Sequence, residues 1–433
     1  MGAYADQPEI MAIGDSMYQG VHSLSVAPWM VQHSPPALVA RAMGRPMTLP
    51  DLKQPLLWDL EQEVRDGGLA DMLRNIRAHC SANLQHWRPE VPWSDHEAFD
   101  NVAIGGASIA SLWEDTDEKY FEQFKTLAAT IQNGSPSNSD VLRTLPALWF
   151  ALSSCYTLNP RHRQEQTRSS QLQQAIDRAP RILLINIGSN DGLFEACFLG
   201  DVGPTAQARA QGMLSQVRDL AERLKALPPR VDTIVFNGLI QPRFVPNLMP
   251  SGAEENEFPG EDYYSVYGPR LTATHLSVGG TELRAYDALI ADVNAESRAI
   301  LEAALGSRLH FADLYAICPP LDGKHFRRRG LAIPGRRITL DNRPLTALIG
   351  GYHGGFASLD NMHPTVVGYA VIADAVLAAV GATQRTDKQA AFDADELLRD
   401  FPGWRVLQFQ VQTPLILSIA RLFFGFGKDA TAV

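Results

Sequence analysis

The sequence lacks any run of apolar residues long enough to cross a bilayer, since no stretch approaches the ~18 residues that a spanning helix needs. It also lacks an excess of basic residues, because its 433 residues carry a formal net charge of -10 at pH 7. Non-specific nucleic-acid binding requires Lys and Arg side chains that neutralise phosphates. We therefore expect neither a membrane-spanning helix nor a nucleic-acid partner.

Cysteine is scarce, and its spacing fits neither a zinc site nor a disulfide framework. The four cysteines are Cys80, Cys155, Cys197 and Cys318, and no Cys-x-x-Cys pair occurs among them. Structural zinc sites use closely spaced Cys and His ligands. We therefore predict buried thiols and no metal site.

The first residues also lack the pattern of a secretory signal peptide, a basic segment followed by an apolar run. A cytoplasmic location is therefore the default expectation. We find no internal repeat. Hydrophobic residues make up 45% of the chain and charged residues 20%, which is typical of an ordinary soluble globular fold.

What the sequence does contain is a series of short apolar runs rich in β-branched residues. Runs of this length that end in turn residues predict buried strands. They occupy residues 10–13, 99–104, 182–187, 231–236 and 309–314.

Helical patterns alternate with the later strands, at residues 205–227, 281–305 and 364–380. Alternation of strands and helices predicts a mostly parallel sheet that is covered on both faces. The expected fold class is therefore α/β, with a three-layer α/β/α arrangement around a five-stranded sheet.

Long intervals between these elements predict one domain over residues 1–382, with insertions at about 21–97, 110–180 and 237–358. A polar linker then leads into an apolar C-terminal tail, within residues 383–433. The tail, apolar over residues 401–426, either docks on the domain or lies on a membrane or partner surface. Docking is favoured, because large exposed apolar patches are uncommon on soluble proteins.

The first strand ends abruptly in Gly14-Asp15-Ser16. Ligands of parallel α/β sheets bind outside the carboxyl ends of the strands, so Ser16 is a candidate nucleophile. The triplet taken alone is equally compatible with a serine that caps a helix. The remaining motifs have to decide between the two interpretations.

Three further motifs supply the other groups that acyl transfer needs. Gly106 follows the second predicted strand, Asn190 follows the third, and Asp360 precedes His363 by three residues near the last helix. His363 is the expected base, Asp360 the group that orients it, and the N–H groups of Ser16, Gly106 and the Asn190 side chain the expected oxyanion donors.

With these four motifs in order, the sequence resembles the SGNH, or GDSL-type, hydrolase superfamily over roughly residues 8–382. Gly14-Asp15-Ser16-Met17 resembles its first block, except that Met17 replaces the usual Leu. Residues 101–107, Gly188-Ser189-Asn190-Asp191 and residues 360–365 resemble the others. The resemblance implies a flavodoxin-like fold, a Ser16-His363-Asp360 triad, and hydrolysis without a metal or cofactor.

The expected function is therefore a serine esterase or lipase that cleaves carboxylic esters through an acyl-serine intermediate. A small-molecule or lipid ester is the expected partner. The alternatives are a carbohydrate O-acetyl esterase, a thioesterase and, from a different class, a non-catalytic binding protein on the same fold.

Overall fold

The computed structural model describes residues 7–66, 69–133, 138–250, 258–269, 277–348 and 351–401. The apolar tail predicted after residue 401 lies outside the described residues. None of the helices within those ranges is both long and apolar enough to cross a bilayer.

The strands have the following bounds: β1 (Ile10–Gly14), β2 (Ile182–Asn186), β3 (Thr233–Asn237), β4 (Leu248–Pro250), β5 (Val266–Pro269), β6 (Val278–Gly279), β7 (Leu309–Ala312), β8 (Leu331–Ala332), β9 (Ile338–Asp341), β10 (Thr346–Leu348) and β11 (Gly351–Gly355). The helices have the following bounds: α1 (Ser16–Gln19), α2 (Pro28–Val31), α3 (Pro35–Ala42), α4 (Leu60–Asp66), α5 (Leu69–Leu84), α6 (Ser111–Glu114), α7 (Asp117–Asn133), α8 (Asn138–Leu158), α9 (Gln171–Arg178), α10 (Ser189–Gly192), α11 (Pro204–Leu224), α12 (Gly280–Leu305), α13 (Cys318–Leu321), α14 (Val366–Ala379), α15 (Lys388–Ala394) and α16 (Glu396–Asp400).

The central sheet is parallel, with the strand order β1-β2-β3-β7. Its register places Ile10 beside Ile182 and Gly14 beside Asn186, so β1 and β2 end at the same edge. The side chains of Ile10 to Ile13 are all fully buried. Since neighbouring residues of a strand face opposite sides, both faces of the sheet are covered, and the expected mostly parallel α/β fold is confirmed.

The sheet has four strands rather than the predicted five. Residues 99–104 lie beside β1, where Ala12 donates to the Asp100 carbonyl (2.8 Å) and receives a bond from the Val102 N–H (2.9 Å), but they form only an isolated bridge. At this outer edge the Ala103 N–H is bound by the Asn101 side chain (3.2 Å) instead of another strand. If residues 99–104 are counted as the second strand along the chain, then β1 is the first and β2, β3 and β7 are the third to fifth. The order in space is then 2-1-3-4-5, which is the flavodoxin-like order that the resemblance implies.

The insertion between β3 and α14 contains two smaller sheets. Their strand orders are β4-β5-β6 and β10-β11-β9-β8. The insertion between β1 and β2 is helical and includes the long helices α7 and α8. Residues of both insertions line the cavity described below, among them Trp149 and Phe150 of α8 and Ile240 and Val245 after β3.

The polar stretch interpreted as a linker contains α15 and ends in a buried aspartate. The Asp395 carboxylate accepts hydrogen bonds from the Val366 N–H (2.7 Å) and the Leu398 N–H (3.0 Å), so it ties α16 to the start of α14. Phe392 and Phe401 are buried on either side of it. The chain through residue 401 therefore packs on the domain.

One buried ion pair attaches the bridged edge segment to the helix layer. Arg178, at the end of α9, is fully buried and donates to Asp100 Oδ1 (2.5 Å) and to the Phe99 carbonyl (2.5 Å). Removing one partner of a buried pair leaves the other charge uncompensated.

We expect Arg178→Met to lower the free energy of unfolding by about 3–5 kcal/mol, because Asp100 stays buried without its cation. Urea denaturation measures the loss. Arg181→Met is the matched control, since its ion pair with Asp232 is half-exposed and should contribute only about 0–1 kcal/mol. Equal unfolding midpoints for the two variants would contradict the argument.

Candidate active site

Ser16 follows a sharp turn at the end of β1, and only glycine fits at Gly14, the first residue of this turn. Gly14 has a φ of 149°, and a Cβ there would lie 2.1 Å from the carbonyl oxygen of Asn186. Asp15 follows and caps α1 by accepting a hydrogen bond from the Met17 N–H (3.1 Å). Asp15, rather than Ser16, is therefore the N-cap of α1. Ser16 lines the cavity described below.

Asp360 and His363 lie together on the loop before α14. Asp360 Oδ2 and His363 Nδ1 are 2.7 Å apart. An ionised carboxylate only accepts hydrogen bonds, so Nδ1 carries the proton and Nε2 of the neutral ring is the acceptor. No described residue makes a hydrogen bond to His363 Nε2 or to Ser16 Oγ, and both residues line the same cavity.

The environment of Asp360 favours its charged form. Burial raises the pKa of this carboxyl, but His363 and the N–H groups of Met362 and His363 outweigh burial and hold the pKa below its usual range. These N–H groups donate to Asp360 Oδ1 at 2.9 and 2.8 Å. An ionised Asp360 stabilises an imidazolium at His363.

A strained turn near Ser16 holds the same carboxylate. Ser23 and Leu24 have φ angles of 51° and 56°, which are uncommon for residues other than glycine. The Leu24 N–H donates to Asp360 Oδ2 (2.9 Å), and the Ser23 N–H donates to the Ser358 hydroxyl (2.8 Å). Because strain of this kind persists only where the surroundings enforce it, the turn fixes the Asp360 loop against the segment that follows the nucleophile.

The predicted oxyanion donors lie at the same cavity as Ser16. Gly106 has a φ of 85°, and neither its N–H nor that of Ser16 has an acceptor among the described residues. The Asn190 side-chain amide donates one N–H to the Ala107 carbonyl (2.8 Å), which orients the group and leaves its second N–H available. Asp191, the next residue, accepts from the Ile109 N–H (2.9 Å) and holds the same loop.

The cavity that these groups share has a volume of about 220 Å³. Its polar edge consists mainly of Ser16, Asn190 and His363, and the rest of its wall is mostly apolar. Large side chains from several insertions form that wall, among them Trp58, Trp149, Phe150, Leu193, Ile240 and Val245. The arrangement suits a molecule with one polar reacting group and an apolar remainder.

The chain matches a known family over most of its length. The model of the GDSL-like Lipase/Acylhydrolase family matches residues 10–376. The chain belongs to this family. Searches of curated proteins and of solved structures gave no match.

Membership of the GDSL-like lipase/acylhydrolase family makes this protein an esterase- or lipase-type hydrolase. The residues predicted for the chemistry, Ser16, Gly106, Asn190 and His363, all line the cavity, and Asp360 lies directly behind His363. Sequence reasoning missed the Leu24 N–H and the aromatic wall from α8. Neither carries a local motif, since each reaches the site only through the tertiary fold.

Asp15 adds a buried negative charge beside these groups. Burial raises its pKa from 3.8 to about 6, although hydrogen bonds from Met17 and Asn186 and the nearby His363 pull in the opposite direction. The folded state therefore holds a proton on Asp15 more tightly than the unfolded state does. Stability falls as the pH rises from about 4 to about 6, because in this range Asp15 is ionised in the unfolded chain but still protonated in the folded protein, and the fall ends once the folded protein ionises as well.

Asp15→Asn removes this ionisation, so the variant should gain stability relative to the wild type as the pH rises. Between pH 4 and pH 8 we expect the difference in the free energy of unfolding to change by up to about 3 kcal/mol in favour of the variant. Urea denaturation at both pH values measures the change. A difference that does not vary with pH would contradict the raised pKa of Asp15.

Proposed function

We propose that this protein hydrolyses carboxylic esters with an apolar acyl chain, through an acyl-serine intermediate on Ser16. The proposal is supported mainly by one largely apolar cavity, which Ser16, Gly106, Asn190 and His363 all line, and by the hydrogen bond between His363 and Asp360. Family membership supports the ester chemistry, and the wall supports the choice of acyl group.

In the proposed first half-reaction, Ser16 Oγ attacks the ester carbonyl carbon while His363 Nε2 takes the hydroxyl proton. The carbonyl oxygen becomes an oxyanion, which the N–H groups of Ser16, Gly106 and Asn190 stabilise. The ester C–O bond then breaks, and His363 gives its proton to the departing alcohol. The product is an ester between the acyl group and Ser16.

In the second half-reaction, water attacks the acyl-serine and loses a proton to His363 Nε2. Breakdown of this second tetrahedral intermediate returns the proton to Ser16 Oγ and releases the carboxylic acid. Asp360 stays ionised throughout and stabilises the imidazolium in both steps. Each oxyanion donor is expected to contribute about 10²–10³-fold to the rate.

The composition of the wall distinguishes the proposed substrate from a sugar ester. Recognition of a carbohydrate needs hydrogen-bond donors and acceptors for its hydroxyl groups, whereas Leu193, Ile240 and Val245 offer only apolar side chains. Apolar contacts instead favour an alkyl or aryl acyl chain, by about 0.8 kcal/mol per buried methylene.

Ser16→Ala should abolish hydrolysis of short p-nitrophenyl esters, because no other hydroxyl in the proposal forms the acyl-enzyme. Ser189→Ala is the matched control, since Ser189 lines the same cavity and has no role in the proposed steps. We expect that control to keep most of the activity. Mass spectrometry should find a fluorophosphonate adduct on the wild type and on the control, and none on Ser16→Ala. Full activity in Ser16→Ala would overturn Ser16 as the nucleophile, whereas a folded wild type that neither hydrolyses these esters nor reacts with the probe would favour a non-catalytic binding protein.

A panel of p-nitrophenyl esters of increasing acyl length tests the acyl group. The value of kcat/KM should rise about fourfold per added methylene until the cavity is full, following the transfer free energy of each group. Acetylated sugars should be poor substrates in the same assay. A preference for acetylated sugars over butyryl or longer acyl esters would overturn the apolar-acyl proposal. Thioesters of matched acyl length would show whether the enzyme requires an oxygen ester.

A further inference from the structure

Gln19 joins the helix of the nucleophile to the loop of the oxyanion hole. It ends α1, three residues after Ser16, and it is almost fully buried. Its Oε1 accepts a hydrogen bond from the Gly105 N–H (2.9 Å), and its Nε2 donates to the Ser153 hydroxyl (2.5 Å). Both ends of one carboxamide are therefore engaged, one by the loop at Gly105 and the other by Ser153 of α8.

The residue that Gln19 holds is the neighbour of the proposed donor Gly106. Gly105 and Gly106 have no side chains, so this part of the loop has more conformational freedom than other residues would give it. A Cβ on Gly105 would lie 2.3 Å from Trp149 and 2.8 Å from Gln19 Oε1, so no larger residue fits. Because glycine is obligatory here, an external hydrogen bond has to restrain the loop.

Other contacts hold this loop farther along the chain. The Asn190 amide binds the Ala107 carbonyl, and Asp191 binds the Ile109 N–H. Both contacts come from the β2 side of the site. On the other side, the Ile104 N–H donates to the Gly14 carbonyl (3.0 Å) and ties the start of the loop to β1. The Gln19 contact differs because it comes from the helix that begins at Ser16 and holds Gly105, the residue next to Gly106.

The second partner of Gln19 connects this point to the cavity wall. Ser153 is fully buried on α8, and Trp149 and Phe150 precede it by one helical turn on the same helix. Both aromatic side chains line the cavity, and a Cβ at Gly106 would lie 3.2 Å from Phe150. The Gln19 side chain of α1 is therefore the point where α8 and the loop of Gly105 and Gly106 meet.

We propose that Gln19 is a positioning residue that fixes the Gly106 N–H relative to Ser16 and, through Ser153, anchors α8 to the oxyanion loop. The inference rests on the proposed acyl-serine mechanism. It goes beyond that mechanism by assigning a role to a residue that touches neither the substrate nor the reacting atoms.

The test compares three variants on a short p-nitrophenyl ester. Gln19→Met keeps the length of the side chain and loses both hydrogen bonds, so kcat should fall about 10–100-fold with KM nearly unchanged, as for a small misplacement of a catalytic group. Ser153→Ala removes only the outer bond and should reduce kcat less than Gln19→Met does.

Gln19→Glu keeps the acceptor for the Gly105 N–H and should restore much of the activity that Gln19→Met loses. Its rescue should weaken as the pH rises, because an ionised carboxylate near the oxyanion opposes the developing charge, whereas a protonated one does not. A residue that only filled space would give neither the rescue nor this change in the ratio of variant to wild-type kcat.

Urea denaturation checks that each variant is folded. The rate at which a fluorophosphonate labels Ser16 depends on the same oxyanion hole and can be measured without substrate turnover. If Gln19→Met fails to fold, the Gln19→Glu pH profile and the Ser153→Ala kcat decide the question. Unchanged kcat in a folded Gln19→Met overturns the role of Gln19 while leaving Ser16 as nucleophile. Retained hydrolysis in Ser16→Ala instead removes the mechanism on which the inference rests.

Discussion

The close approach of the β1 and β2 backbones at Gly14 and Asn186 is the constraint on which the site depends. The Asp15 N–H donates to the Asn186 carbonyl (3.0 Å), and the Asn186 side chain donates to Asp15 Oδ1 (2.8 Å). The Gln171 carboxamide binds both the N–H and the carbonyl of Gly14. These contacts engage both backbone polar groups of Gly14 and the N–H of Asp15, so the chain leaves β1 in one direction only. Ser16 is placed by the sheet itself rather than by a loop.

The same constraint explains why an unfavourable charge is kept at this position. A buried carboxylate with a pKa near 6 destabilises the folded state at neutral pH, yet Asp15 supplies the cap of α1 and lies close enough to His363 for the two charges to attract each other. A negative charge there favours the imidazolium that the proposed mechanism needs. On the proposed mechanism, the same charge that lowers the stability of the folded protein would stabilise the transition state.

Sequence reasoning found the residues that follow strands and missed those that support them. Ser16, Gly106 and Asn190 could be predicted because strand ends of a parallel sheet meet at one edge. Gln19 and Leu24 act through contacts with residues 86 and 336 positions away, which no local pattern encodes. Spacing can also mislead. Asp322 and His325 repeat the Asp-x-x-His spacing with a 2.9 Å contact, but this histidine is fully buried against the Tyr267 hydroxyl (2.6 Å) and does not line the cavity of Ser16.

The insertions do more than enclose the cavity, because residues that shape its apolar wall also touch the loop of Gly105 and Gly106. Trp149 packs so closely on Gly105 that a β-carbon would not fit between them, and Phe150 contacts the position of Gly106. A change of wall shape is therefore transmitted directly to the proposed oxyanion donor. On the proposed mechanism, acyl selectivity and catalytic rate would therefore not vary independently, since the side chains that would accommodate a different acyl chain also pack against Gly105 and Gly106.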